Sequence, residues 1–353
     1  MLVTQKERIM ATGVNIYADV NAEQEEFARK AIGSCMGWFR EVEERLTRFV
    51  ASSDLSCLNA ANGKWARVSP MLFEVIELSV QAANVTEGLF DPTLLPILKA
   101  LGYDRDYAEI EHREAAIEWR VSHQSEGQAS WRDIEINSQK QLVRLPRGVE
   151  LDLGGIVKGW AADVALNRFF NDIPNVIIDL GGDMRVRGGS AESNPWAIGI
   201  GNVHAGDETK HIAVLTLGAG GLATSGASHR WWLRAGERQH HVIDPHTKRP
   251  ANIWIDHTDD NQELYPLIVT ATALASTAAH AEVAAKVALL RGFPRALEAV
   301  EAAWKTNNGS SVTPYDDNGV ALLLALGTGK VVCSTNIQDY LATIGAGGQL
   351  WLD

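Results

Sequence analysis

Cysteine is scarce in this sequence: Cys35, Cys57 and Cys333 are odd in number, far apart and never in a CxxC pair. Such spacing supports neither a zinc site nor a disulfide framework and fits a reducing compartment. Long apolar runs are missing too. The longest, residues 320–326, has the length of a core strand and falls well short of the ~18 residues a bilayer-crossing helix needs. The opening MLVTQKERIMATG carries charges where a signal peptide has its apolar stretch. The expectation is a cytoplasmic protein with no direct membrane insertion. Positive charge is in deficit, with 32 Lys and Arg against 44 Asp and Glu, a net charge of −12. That balance argues against a nucleic-acid or anionic-membrane binder. Any phosphate-bearing ligand must be held by a local arrangement, since the overall charge repels it.

What is present is ordinary globular composition, 46% hydrophobic over 353 residues, enough for a sizeable core. Length alone suggests about two domains, yet no repeat or low-complexity linker divides the chain. Residues 8–20 read as an opening strand with a break from Met10 to Gly13. Residues 23–49 form an amphipathic helix with Phe27, Ile32, Cys35, Met36, Phe39, Val42 and Leu46 on its apolar stripe. A second helix over 70–85 starts with Ser69 as N-cap and Pro70 at its first position. Residues 93–102 predict a short helix, 134–145 a hairpin, and 176–188 two strands about a tight Gly181-Gly182 turn. Short strands follow at 196–203, 211–218, 221–232 and 240–250. A strand running into an alanine-rich helix spans 268–291, with a further helix over 294–304 and two closing strands over 319–334. Many antiparallel-type strands with a few long helices predict an α+β fold of mixed sheets packed with several helices, in one continuous unit.

Chemistry concentrates in residues 152–165, DLGGIVKGWAADVA. Asp152 ends a short extended segment, and Gly154 and Gly155 let the backbone approach a ligand without a Cβ in the way. From Ile156 the spacing is helical. A helix starting there offers unpaired N–H groups to an anion such as phosphate. Lys158 in the first turn is unfavourable against the macrodipole unless an anion arrives. The same residues also read as a strand, a turn and a core helix with one solvated lysine.

Several turns, taken in order, resemble the ApbE family of flavin transferases: residues 10–13 (MATG), Phe49 with 52–59, 86–93 (TEGLFDPT), 152–159 (DLGGIVKG), 179–183 (DLGGD), 223–226 (ATSG), 241–245 (HVIDP) and the alanine-rich helix around Glu282. The resemblance implies a T-fold-related α+β domain over residues 1–353. Its FAD cleft would be formed by segments around 10–13, 86–93, 152–159, 223–245 and 279–286. It implies a reaction in which FAD is split, with Mg2+, into AMP and an FMN that passes to a Thr or Ser hydroxyl of an acceptor flavoprotein. By the same resemblance Asp152, Lys158, Asp183 and Ser225 meet FAD, and Met10 and Phe49 contact the flavin. Glu87, Gly88 and Leu89 hold the adenosine end. His241, with Asp244 beside it, is the residue that helps deprotonate the acceptor; an imidazole with an ordinary pKa near 6.5 suits that work. Each has a plainer reading: Met10 and Phe49 as core, Asp91 and Asp244 as turn formers before proline, Asp183 as a cap of the GGD turn. Since a strand sends neighbours to opposite faces, at most one of His240 and His241 points inward.

One departure stands out. The family's metal helix carries Asp followed four residues later by Thr, where this chain has Glu282 and Lys286. The metal site implied by the resemblance would then comprise the Gly155 carbonyl, Glu282 and the position of Lys286. Residues four apart share a helix face, so the pair reads as a surface salt bridge, as an ammonium in part of the metal's place, or as leaving a metal held by Glu282, the Gly155 carbonyl and phosphate oxygens. The main reading is FMN transfer; an FAD pyrophosphatase and a non-catalytic FAD-binding protein are the alternatives.

Overall fold

The computed structural model describes all residues except 111–128, 204–209, 227–229, 235, 252–266, 299–318, 345–349 and 353. The chain folds as two compact units, Met1–Trp38 with Lys158–Ser228 and Asn252–Asp353, and Phe39–Val157 with His229–Ala251.

In the first unit, the described strands form a nine-stranded sheet. Its order is Leu2–Ile9, Thr12–Asp19, Val176–Leu180, Asp183–Arg187, Ala219–Gly226, Ile268–Ala275, Ala321–Leu326, Val331–Cys333 and Leu350–Leu352. Every neighbouring pair is antiparallel except the last. The opening segment is thus a full hairpin, turning at Met10 and Ala11. Gly181 and Gly182 turn the third strand into the fourth with φ of 71° and 95°, values that two-residue hairpins require and that glycine adopts without strain. A smaller sheet of Trp196–Gly201, His211–Leu217 and Leu341–Ile344 shares an apolar core with the large one, including Ile198, Leu215, Leu217, Leu222 and Leu323.

The alanine-rich helix Ala278–Arg291 packs on the strands Ala219–Gly226 and Ile268–Ala275. Its small residues allow a close approach by the helix Val157–Phe169. A Cβ on Gly159 would lie 2.6 Å from backbone atoms of Ala278 and Ala279. Backbone cannot step aside cheaply, so Gly159→Ala is expected to cost about 2 kcal/mol in denaturant unfolding. A stability equal to wild type would show that the two helices are not held that tightly.

In the second unit, Pro70–Val85 is a helix with Ser69 accepting from Leu72 N and Pro70 at its start, as its sequence predicts. Asp54–Asn59 and Leu95–Ala100 are shorter helices, and Trp65–Arg67, Leu142–Arg144 and Glu135–Asn137 form a three-stranded sheet. The hairpin Trp231–Arg234/Glu237–His240 supplies Trp232 to an apolar cluster with Leu98, Leu101, Ile110 and Ile243.

One expectation needs correcting. In the helix Glu25–Leu46 the buried stripe is Ala28, Ile32, Cys35, Phe39, Val42 and Leu46, whereas Phe27 is 47% exposed. That stripe steps by alternating fours and threes, and Phe27 lies one residue, about 100°, to its side. The helix expected over 294–304 falls largely outside the described residues.

Candidate functional site

In the first unit, four charged side chains converge where the helices Val157–Phe169 and Ala278–Arg291 approach each other. Glu282 is wholly buried. Its Oε2 accepts from Gly159 N at 2.9 Å, and its Oε1 lies 3.1 Å from Lys286 Nζ and 3.8 Å from Lys158 Nζ. Lys286 also donates to the Glu282 carbonyl at 3.3 Å. Lys158 pairs with Asp183, which is itself buried. Burial opposes ionisation of Glu282, but the charges of Lys286 and Lys158 and the Gly159 hydrogen bond hold its pKa below the usual range. The Glu282–Lys286 pair is therefore no solvated surface bridge. Asp183 faces the lysine, while Asp179 caps the turn by accepting from Gly182 N at 2.7 Å. The lysine singled out as mismatched with its helix dipole thus has a carboxylate partner.

Beneath this cluster Asp163 accepts from Ala278 N and Ala279 N at 2.9 and 3.0 Å and pairs with Arg185 at 3.2 Å. With Thr277 accepting from His280 N, the N-terminus of the alanine-rich helix is already capped. Ser225 is half-buried near the end of Ala219–Gly226, in register with Ala271. Met10 occupies the hairpin turn with φ of 54°, a left-handed conformation that costs a non-glycine residue energy and tends to persist where function requires it.

In the second unit, Asp152 and Phe49 are joined by a residue the sequence reading missed, Arg48. Its Nε lies 2.8 Å from Asp152 Oδ2, and its Nη1 donates to the Tyr103 carbonyl at 2.8 Å. Its guanidinium sits 4.3 Å from the Phe49 ring centre and 4.4 Å from that of Tyr103, within the range of cation–π attraction. The other Asp152 oxygen accepts from Gly154 N at 2.7 Å, which sets the turn before Gly155 and the helix. Phe49 is 40% exposed despite being a large aromatic. The one available signal was adjacency: Arg48 stands beside Phe49 where the long helix ends.

Glu87 is exposed and also left-handed, with φ of 54°, while Gly88 and Leu89 behind it are buried. Of the two histidines, His240 is fully buried, accepting from Val242 N at Nδ1 and bonded through Nε2 to the Ala251 carbonyl at 2.8 Å. His241 is half-buried. Asp244 accepts from His246 N at 2.8 Å and Asp91 from Thr93 N at 2.8 Å, so both form turns of the kind expected before proline.

The model of the ApbE family matches residues 10–308. The chain belongs to the ApbE family. It is 30% identical to the FAD:protein FMN transferase of Treponema pallidum, over 69% of this chain and 68% of that protein. It is 29% identical to the protein of the same name from Rhodobacter capsulatus, over 74% of this chain and 50% of that one. The chain thus spans between half and about two thirds of these relatives. The ApbE protein of Thermotoga maritima superposes with a TM-score of 0.74 at 22% identity, covering 94% of this chain and 96% of that one. The flavin transferase ApbE of Vibrio cholerae gives 0.69 at 19%, covering 97% and 99%. At such identities the two structures speak for the fold, which is the α+β architecture expected.

Against the ApbE pattern, the fit of a divalent ion can be tested at Glu282. Both carboxylate oxygens are engaged, by Gly159 N and by the lysines. A protonated lysine is no metal ligand. A divalent ion ~4 Å from one ammonium meets a repulsion of about 8 kcal/mol at an effective dielectric of about 20. Among the described residues no three His, Cys, Asp or Glu side chains converge as a metal site. As arranged, these residues do not fit a metal ion at Glu282.

Proposed function

We propose that this chain transfers FMN from FAD to a Thr or Ser hydroxyl of an acceptor flavoprotein and releases AMP. The family match across residues 10–308 carries the reading, and the relatives named FAD:protein FMN transferase support it. In the first unit, Lys158 and Lys286 offer positive charge to the pyrophosphate, with Asp183 and Glu282 orienting them and Ser225 adding a hydroxyl. Met10 offers an apolar contact to the flavin. In the second unit, Phe49 offers a ring face to the flavin, held by Arg48, which Asp152 positions. Glu87, Gly88 and Leu89 take the adenosine end. His241 takes the proton of the acceptor hydroxyl as its oxygen attacks the FMN phosphorus. A P–O bond forms to the acceptor, the P–O bond to AMP breaks, and the charge left on AMP is met by the lysines.

The test is to incubate the pure chain with FAD and a flavoprotein acceptor, following AMP by chromatography and flavin on the acceptor by in-gel fluorescence. Equal amounts of both are expected. AMP without labelled acceptor would instead indicate a pyrophosphatase, and bound FAD without AMP a carrier. In the same assay Asp152→Ala, which frees Arg48 from its anchor, is expected to weaken FAD binding about tenfold or more. Unchanged affinity would remove Asp152 from the site.

A further inference from the structure

The cluster around Glu282 is layered by charge. Its carboxylates lie inside, with the side chain of Glu282 at 0% and that of Asp183 at 3% exposure, and its ammonium groups lie outside, at 20% for Lys158 and 19% for Lys286. Whatever reaches this cluster from solvent meets ammonium first. Lys286 spends two of its three N–H donors on the oxygens of Glu282, and an ammonium has three. The N-terminal N–H groups of the alanine-rich helix are not an alternative anchor, since Asp163 and Thr277 already take those of Ala278, Ala279 and His280. The formal charges of two lysines and two carboxylates cancel, so the cluster needs no further cation to be neutral in the folded protein.

We propose that Lys286 stands in for a metal at this site: with Lys158 it presents the outward-facing ammonium donors that meet a pyrophosphate, and this chain binds FAD without a divalent metal. The inference rests on the FAD reading of the same site and specifies its ionic requirement. Glu282 is then the buried anchor that fixes both ammonium groups, and Lys286 is a binding residue whose position on the helix sets its reach. An ammonium binds a phosphate through charge and N–H hydrogen bonds and does not act as a Lewis acid, so the site gains anion affinity that does not vary with metal supply.

The experiment measures FAD affinity by fluorescence quenching, in EDTA and in excess Mg2+, for wild type and Lys286→Thr. Wild type is expected to bind equally well in both. Lys286→Thr is expected to bind about tenfold more weakly in EDTA and to recover when Mg2+ is added. Wild-type binding that tightens about tenfold or more with Mg2+, or a Lys286→Thr affinity equal to wild type in EDTA, overturns the proposal while leaving the flavin site standing. Absence of FAD binding under every condition overturns both readings. Should Lys286→Thr fail to fold, Mn2+ titration of the wild-type FAD complex by electron paramagnetic resonance decides alone. No stoichiometric Mn2+ is expected, and one tightly held ion per chain overturns the proposal.

Discussion

Lys158→Met is expected to lower AMP release by about a thousandfold and to cost the fold about 3 kcal/mol. The two effects have separate causes. Asp183 is buried and paired with Lys158, and the Glu282 carboxylate lies 3.8 Å from the same ammonium. Removing one partner of such a pair leaves a carboxylate that water cannot reach, and the uncompensated charge is what destabilises. Under the proposed function, the catalytic loss arises because charge on the departing AMP would lose one of the two ammonium groups proposed to meet it. A double variant separates them: Lys158→Met with Asp183→Asn removes both charges together, so stability in denaturant unfolding should largely return while AMP release stays low. If Lys158→Met releases AMP at the wild-type rate, Lys158 is only a structural counter-ion. If the double variant recovers AMP release along with stability, the defect was one of folding.

That separation matters because the sequence pointed to candidate site residues but not to their pairings. Local signals were sufficient for Ser69 and Pro70 at the helix start, for the Gly181-Gly182 turn, and for the Glu282–Lys286 pair one helical turn apart. Each is decided within a few residues, where backbone geometry dictates the chemistry. The joining of Lys158 to Asp183 and Glu282 depends on the close helix contact at Gly159. No period in the sequence reports such a contact. Sheet order was hidden for the same reason. Thr12–Asp19 pairs with Val176–Leu180 across more than a hundred intervening residues, and alternation tells which face is buried without naming the neighbour. Phe27 was misplaced because an apolar residue just beside a stripe still raises the apparent amphipathicity of its helix. Arg48 was missed because a lone arginine after a helix carries no pattern; only the fold sets Phe49, Tyr103 and Asp152 around it. The function became readable through ordered motifs shared with the ApbE family, each of them ambiguous alone.

Acid should weaken the fold well before carboxylates in general are titrated. His240 and His280 are each pushed down to about 4 by burial, although the hydrogen bond to the Ala251 carbonyl opposes this at His240. The bonding of His240 explains why it stays neutral. Nδ1 accepts from Val242 N, so Nε2 carries the proton given to the Ala251 carbonyl, and a second proton on Nδ1 would face a donor. With an ordinary unfolded value near 6.5, the unfolded chain binds more protons than the folded one between about pH 6.5 and 4. Stability therefore falls as pH drops through that window, by about 2 kcal/mol per histidine between pH 7 and 5. Asp163 acts with the opposite sign. Burial raises it to about 6 against the pull of Arg185 and the amides of Ala279 and Ala278, so the folded chain takes up its proton first and regains about 1 kcal/mol over the same range. Glu282, held low, contributes its loss only below the ordinary carboxylate range. Burial raises Asp91 as well, against its bonds from Thr93, so it shares the sign of Asp163. The two histidines outweigh the aspartates, and the net expectation is a loss of about 1–2 kcal/mol from pH 7 to pH 5, read by urea unfolding at each pH. His240→Gln can keep a donor toward Ala251 without a titrating ring, so the variant should lose much less than wild type over that interval, whatever its stability at pH 7. An unchanged pH slope in His240→Gln would mean that this imidazole is protonated as easily in the fold as in the unfolded chain.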